Sequence, residues 1–289
     1  MLRMSFLEHL EELRKRILHA LIGIGVAFAV SLYFVNDLWA IISEPAMAAL
    51  RQNGVQDPKL AMLTPTESFS VIWVKLPILT AIFLSSPWLV YQVWSFIAPG
   101  LYKKERRWAV PFILSTAGLF ICGGLFAYFV AFRLGLGFLL GIGVSQNVMA
   151  VVSITEYFDL FVNVTLGLGL VFELPILIFF LSLLRIVTPQ FLIRNSRYAI
   201  LLITLVAAII TPTPDVINLM LISVPMALLY FVGVFASYLL WLSRENKRFP
   251  WLLVLFVIAC LALIAAGGVY LAVSQFGYSL VLSWPYIVR

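Results

Sequence analysis

Residues 103–132 read KKERRWAVPFILSTAGLFICGGLFAYFVAF, and this stretch decides the fold. Four cations, Lys103, Lys104, Arg106 and Arg107, stand just before a run from Ala109 to Phe132 that holds no charged residue. As a helix, such a run is longer than the roughly 20 apolar residues needed to cross the hydrocarbon core of a bilayer. It lacks the alternation of a barrel strand, so it is expected to be a transmembrane helix. Lys and Arg clustered at one end of a span mark the cytoplasmic side.

The rest of the chain repeats the pattern. Hydrophobic residues make up 63% of the 289 and charged residues 11%, with a mean hydropathy of +1.07. A water-soluble domain carries about a quarter charged residues. This chain must use lipid as its solvent, where only helices or closed barrels satisfy the backbone. Further spans are expected at 17–35, 70–95, 159–184, 197–212, 217–241 and 250–273. The fifth span, at 197–212, is the shortest and ends at Thr211-Pro212-Thr213-Pro214-Asp215, a turn no helix continues through. Spans five and six therefore form a tight hairpin that need not cross the full bilayer. The expected architecture is an all-α polytopic membrane protein in three regions. These are a cytoplasmic amphipathic helix at 1–16, a six-span core at 17–243, and an extension at 244–289 carrying a seventh span.

Charge placement orients the chain. The net charge of +6 resembles a nucleic-acid signal, but 14 of the 19 Lys and Arg fall in segments 1–16, 96–108, 185–197 and 244–248. All four lie on one side of the six-span core, so the N-terminus is expected in the cytoplasm and no nucleic-acid partner is expected. Acidic residues precede the first apolar run and no small-residue cleavage site follows it, unlike a cleaved signal peptide. Residues 36–66, with Pro45, Gly54, Pro58 and Pro65, are expected to form an outer loop in which Leu38–Ile42 lies at the interface. Cys122 and Cys260 sit in apolar runs and read as packing residues.

No enzyme constellation appears. His9 and His19 both lie near the N-terminus, so the spans contain no metal-binding His pair, and neither metal nor cofactor is expected. Acidic residues carry more information. Ser5 and Glu8 form a capping box, with Phe6, Leu10, Leu13 and Ile17 on one stripe of the helix that follows. Glu12 and Arg16, four apart on it, read first as an ordinary surface pair. Glu105 stands alone among four cations and reads first as charge balance. Yet both glutamates belong to the cytoplasmic side, and separated carboxylates suit a ligand with adjacent arginines. Glu173 lies near the middle of span four, where a carboxyl must face protein or water or carry a proton. Asp215 reads as the N-cap of span six.

Several of these residues sit in longer motifs. His9-Leu10-Glu11-Glu12-Leu13-Arg14-Lys15-Arg16 resembles the H-L-x-E-L-R-x-R signature of the TatC family, the multispanning subunit of the twin-arginine protein translocase. Residues 91–102 (YQVWSFIAPGLY) with Lys104-Glu105-Arg106-Arg107 resemble the same family. So do Phe172-Glu173-Leu174-Pro175 and Thr211-Pro212-Thr213-Pro214-Asp215, in matching order over about residues 4–243.

The resemblance implies a glove-shaped six-helix bundle in the cytoplasmic membrane. It implies a receptor for the twin-arginine signal peptides of folded cargo, driven by the proton-motive force. Glu12 and Glu105 would contact the signal arginines, with His9, Leu13 and Arg16 beside them. Glu173 would be the buried acid of the concave face. Thr211 and Asp215 would mark the docking edge for a partner helix. TatA-like and TatB-like single-span proteins would complete a hetero-oligomer. Leu219 and Phe231 stand where many relatives carry Gln and Glu, which places polar partner contacts along span six in question. Against this stand two other classes, an ion-coupled carrier using Glu173 as its proton site and a scaffold without a ligand.

Overall fold

The computed structural model describes residues 6–97, 109–146, 149–211, 215–245, 279–280 and 287–288. Four sequence expectations fall outside them: the Ser5 cap, Glu105 with its basic neighbours, the Pro212–Pro214 turn and the 250–273 span.

The first unit, Met1–Leu240, is helical throughout its regular structure. Helix α1 covers Phe6–Tyr33 and α2 covers Val35–Gln52. Next come α3 (Glu67–Phe96), α4 (Phe112–Ser145), α5 (Ile154–Val171) and α6 (Leu174–Leu183). The short α7 (Pro189–Arg194) leads into α8 (Ser196–Ile210) and α9 (Val216–Arg244). Helices α1, α3, α4, α9 and the α5–α6 pair are each long and apolar enough to cross a membrane. They coincide with expected spans one, two, three, six and four. Helix α8 has 15 residues. At about 1.5 Å per residue it reaches roughly 22 Å, short of the ~30 Å hydrocarbon core.

Two outer segments differ from expectation. Residues 35–52 form a helix rather than a loop, even though Pro45 lies inside it. Proline removes one N–H from the ladder and leaves the carbonyl four residues back without its partner. Here the Tyr128 hydroxyl donates to Ile41 O at 2.8 Å, and the Tyr157 hydroxyl donates to the next carbonyl, Ile42 O, at 2.5 Å. Of the stretch Leu38–Ile42, Ile41 is exposed and Ile42 is buried, and Ala46, Ala49 and Leu50 further along the helix are buried with it. The second difference is the third span, which runs on to Ser145 through a π-helical stretch at Ala127–Ala131. Its 34 residues reach about 51 Å, well beyond the hydrocarbon core.

Packing follows the small residues. Helices α4 and α5 touch backbone to backbone: a Cβ on Gly123 would meet Leu168 O at 2.7 Å and Gly169 Cα at 2.8 Å. Small residues at such crossings let helices approach when lipid offers no hydrophobic drive. Tyr157, Phe158, Phe161 and Leu168 of α5 sit at the centre of the core, joined by Leu76 of α3, Phe132 of α4 and Met226 of α9. Hydroxyls inside the helices bond to their own ladder, as Ser86 does to Phe83 O at 2.8 Å, the carbonyl that Pro87 leaves open. Outside the core, Lys75 pairs with Asp159 at 2.5 Å and joins α3 to α5. Ala61 bridges the strand-like residues before α5, its N–H donating to Val152 O at 2.8 Å.

The second unit is Trp241–Arg289. Among its described residues, Ser279 pairs antiparallel with Val288 and Leu280 with Ile287.

Candidate functional site

The motif HLEELRKR, residues 9–16, folds as roughly two turns near the start of α1 and lies along the C-terminal half of α3. Three contacts fasten the two helices. The His9 ring stacks on Phe96 with centroids 4.4 Å apart and planes 19° apart. Trp88 donates its indole N–H to His19 O at 2.9 Å. Gly23 lies directly against the same indole, where any Cβ would collide.

Glu12 and Arg16 sit between these fastenings. Arg16 Nη2 donates to Glu12 Oε1 at 3.4 Å, and Arg16 Nη1 donates to Gln92 Oε1 at 3.3 Å. The Glu12 side chain is 15% exposed and that of Arg16 31%. Gln92 is buried. Charge-assisted N–H···O bonds are usually near 2.7–2.9 Å, so this pair is long. Glu12 Oε2 and Arg16 Nε are both buried and make no hydrogen bond. Half of the carboxylate thus has no donor on it although it is shielded from solvent. Leu13, the next residue, is exposed. Such a site presents an under-satisfied anion on a rigid helix pair, which suits a second guanidinium.

The other predicted residues are placed elsewhere. Glu173 occupies the break between α5 and α6, where Pro175 cannot continue the ladder. Its carbonyl accepts from Leu177 N–H at 2.9 Å. Glu173 Oε1 is buried without a hydrogen bond, as is the hydroxyl of Thr116, the polar neighbour across the helix boundary. Thr211 is buried and donates to Ala207 O at 2.7 Å. Asp215 Oδ1 accepts the Asn218 N–H at 2.7 Å and its Oδ2 accepts from Asn218 Nδ2 at 2.9 Å. Thr211 and Asn218 line one small cavity with Gly135 of α4. The predicted residues that are described therefore fall in three separate polar places: the Glu12 pair, the Glu173 break and the cavity shared by Thr211 and Asn218.

Sequence reasoning gave no role to Gln92, Phe96 or Thr116. Gln92 left a signal, being an uncharged polar side chain inside an apolar helix. Its partner is 76 residues away. Among the described residues, no group of His, Cys, Asp and Glu is placed to hold a metal.

The family model for the Sec-independent protein translocase protein TatC matches residues 8–225. The chain belongs to the TatC family. A Sec-independent protein translocase protein TatC from Koribacter versatilis (strain Ellin345) is 45% identical over 245 residues, covering 85% of this chain and 89% of that protein. The protein of the same name from Escherichia coli (strain K12) is 36% identical over 232 residues, covering 79% and 86%. A crystal structure of the twin arginine translocase receptor TatC matches with a TM-score of 0.68 and 32% identity, covering 80% of this chain and 99% of that one. The TatC fold is thus a multi-pass helical membrane fold, and the family is one of transport proteins. Its match stops short of the second unit.

Proposed function

We propose that this chain is the signal-receiving core subunit of a twin-arginine translocase. It binds the paired arginines of a signal peptide on the cytoplasmic face and passes folded cargo across the cytoplasmic membrane. Family membership supports the transport role. The observation that carries the receptor reading is Glu12, a largely buried carboxylate with one oxygen unpartnered, held between the contacts that fasten a helix pair. A guanidinium meets a carboxylate through two parallel bonds, and that free oxygen supplies the second acceptor.

Glu105 is the second anion in this reading, and His9, Leu13 and Arg16 flank the first. The charge distribution supports a cytoplasmic N-terminus, since 14 of 19 cations lie on that side of the expected core. TatA-like and TatB-like single-span proteins are the partners, with Thr211 and Asp215 at the docking edge beside α8. The proton-motive force drives transport, and the chain is not itself an enzyme. Glu173 is the intramembrane acid of the concave face.

The test is photocrosslinking of a twin-arginine signal peptide to the full chain in membranes. Wild type is compared with Glu12→Ala, Glu105→Ala and the double variant. Reduced crosslinking in each single variant, and near loss in the double, is expected. Undiminished crosslinking in all three would remove both glutamates from the site.

A further inference from the structure

We propose that Arg16 is an internal placeholder for the ligand's arginine, and that Gln92 is where it goes when the ligand arrives. The inference rests on the reading of Glu12 as the arginine acceptor. It gives Arg16, which flanks Glu12 in that reading, the part of a competitor, and it adds Gln92.

The geometry carries it. Arg16 holds Glu12 through a single 3.4 Å contact on Oε1 and holds Gln92 through a single 3.3 Å contact. Neither end is completed, because Glu12 Oε2 and Arg16 Nε are both buried and unbonded. A structural salt bridge at this burial is expected to close both bonds of the carboxylate. A one-toothed pair instead neutralises the carboxylate while the receptor is empty and yields to a guanidinium that can use both oxygens. Gln92 supplies the alternative. Its buried side chain presents a carbonyl oxygen already in contact with Nη1, so Arg16 can leave Glu12 without giving up every acceptor. His9 on Phe96 and Trp88 on the His19 carbonyl hold α1 and α3 on both sides of the exchange.

This differs from a positioning role in the sign of its effect. If Arg16 competes for Glu12, removing it tightens binding. If Arg16 orients Glu12, removing it weakens binding. Gln92 separates the two further, because it matters only while Arg16 is present to be received.

The experiment measures the affinity of a synthetic peptide bearing two adjacent arginines for the full chain in lipid nanodiscs. The variants are Arg16→Gln, Gln92→Leu, their combination and Glu12→Gln. Arg16→Gln is expected to bind about fivefold tighter, the scale of one partly exposed ion pair. Gln92→Leu is expected to bind more weakly, and to have no effect when added to Arg16→Gln. Weakened or unchanged binding in Arg16→Gln, or additive effects of the two changes, would overturn the placeholder. Should Glu12→Gln bind as wild type, the receptor reading itself would fall. A large loss in Glu12→Gln with no gain in Arg16→Gln would remove only the placeholder.

Discussion

Tyr157 shows how single side chains hold the outer part of this molecule. Its hydroxyl donates to Ile42 O from a residue that is 1% exposed, beside the carbonyl that Pro45 deprives of a partner. Tyr157→Phe keeps the ring and removes the donor. The net loss of one internal hydrogen bond costs about 0.5–1.5 kcal/mol, so the melting temperature of the purified protein should fall while the helical content stays. An unchanged melting temperature would show that α2 is held without this bond. The same logic explains one misreading of the sequence. Pro45 reads locally as a helix breaker, and the tyrosine that takes up the freed Ile41 carbonyl comes from residue 128, which no local pattern connects to it. The Glu12–Arg16 pair is legible because its spacing lies within a single helix, but that spacing reads as an ordinary surface pair, and only the resemblance of the surrounding motif gives Glu12 a role. Gln92 is not legible, because its meaning depends on α3 lying against α1.

At the scale of elements, close approach rather than hydropathy sets the packing. Gly123 and Gly169 let α4 and α5 meet, whereas a Cβ on Gly25 of α1 would meet nothing within 4 Å. Gly123→Leu should therefore separate the two helices and cost at least the 1–3 kcal/mol typical of overpacking. Gly25→Leu should be tolerated. Comparing folded yield and thermal stability of the two variants checks this, and equal behaviour would contradict the assigned crossing. The long apolar helices were legible because lipid demands about 20 apolar residues, a rule that ignores tertiary structure. The same rule missed the extension of α4 to Ser145 and the helix α2. Those segments are helical through contacts with other helices, such as Asn53 donating to Gly137 O at 3.3 Å. The shortness of α8 is legible directly, since the prolines at 212 and 214 in the sequence disfavour any continuation of the helix.

In the molecule as a whole, an apolar helical core carries the Glu12–Arg16–Gln92 cluster where the start of α1 lies along the end of α3. Fold and family could be read from hydropathy, cation placement and a few motifs, and the structural match to a twin arginine translocase receptor agrees with that reading. The incomplete bonding at Glu12 could not be read, because it depends on distances between side chains of two helices. The central claim is that Glu12 receives an arginine. Its most direct test is the affinity of a twin-arginine peptide for the full chain in nanodiscs, wild type against Glu12→Gln, with the melting temperature of each recorded alongside. The account predicts a loss of about tenfold or more, the scale of a hydrogen bond to a charged group, at an unaltered melting temperature. Equal affinity in a variant that remains folded would contradict it.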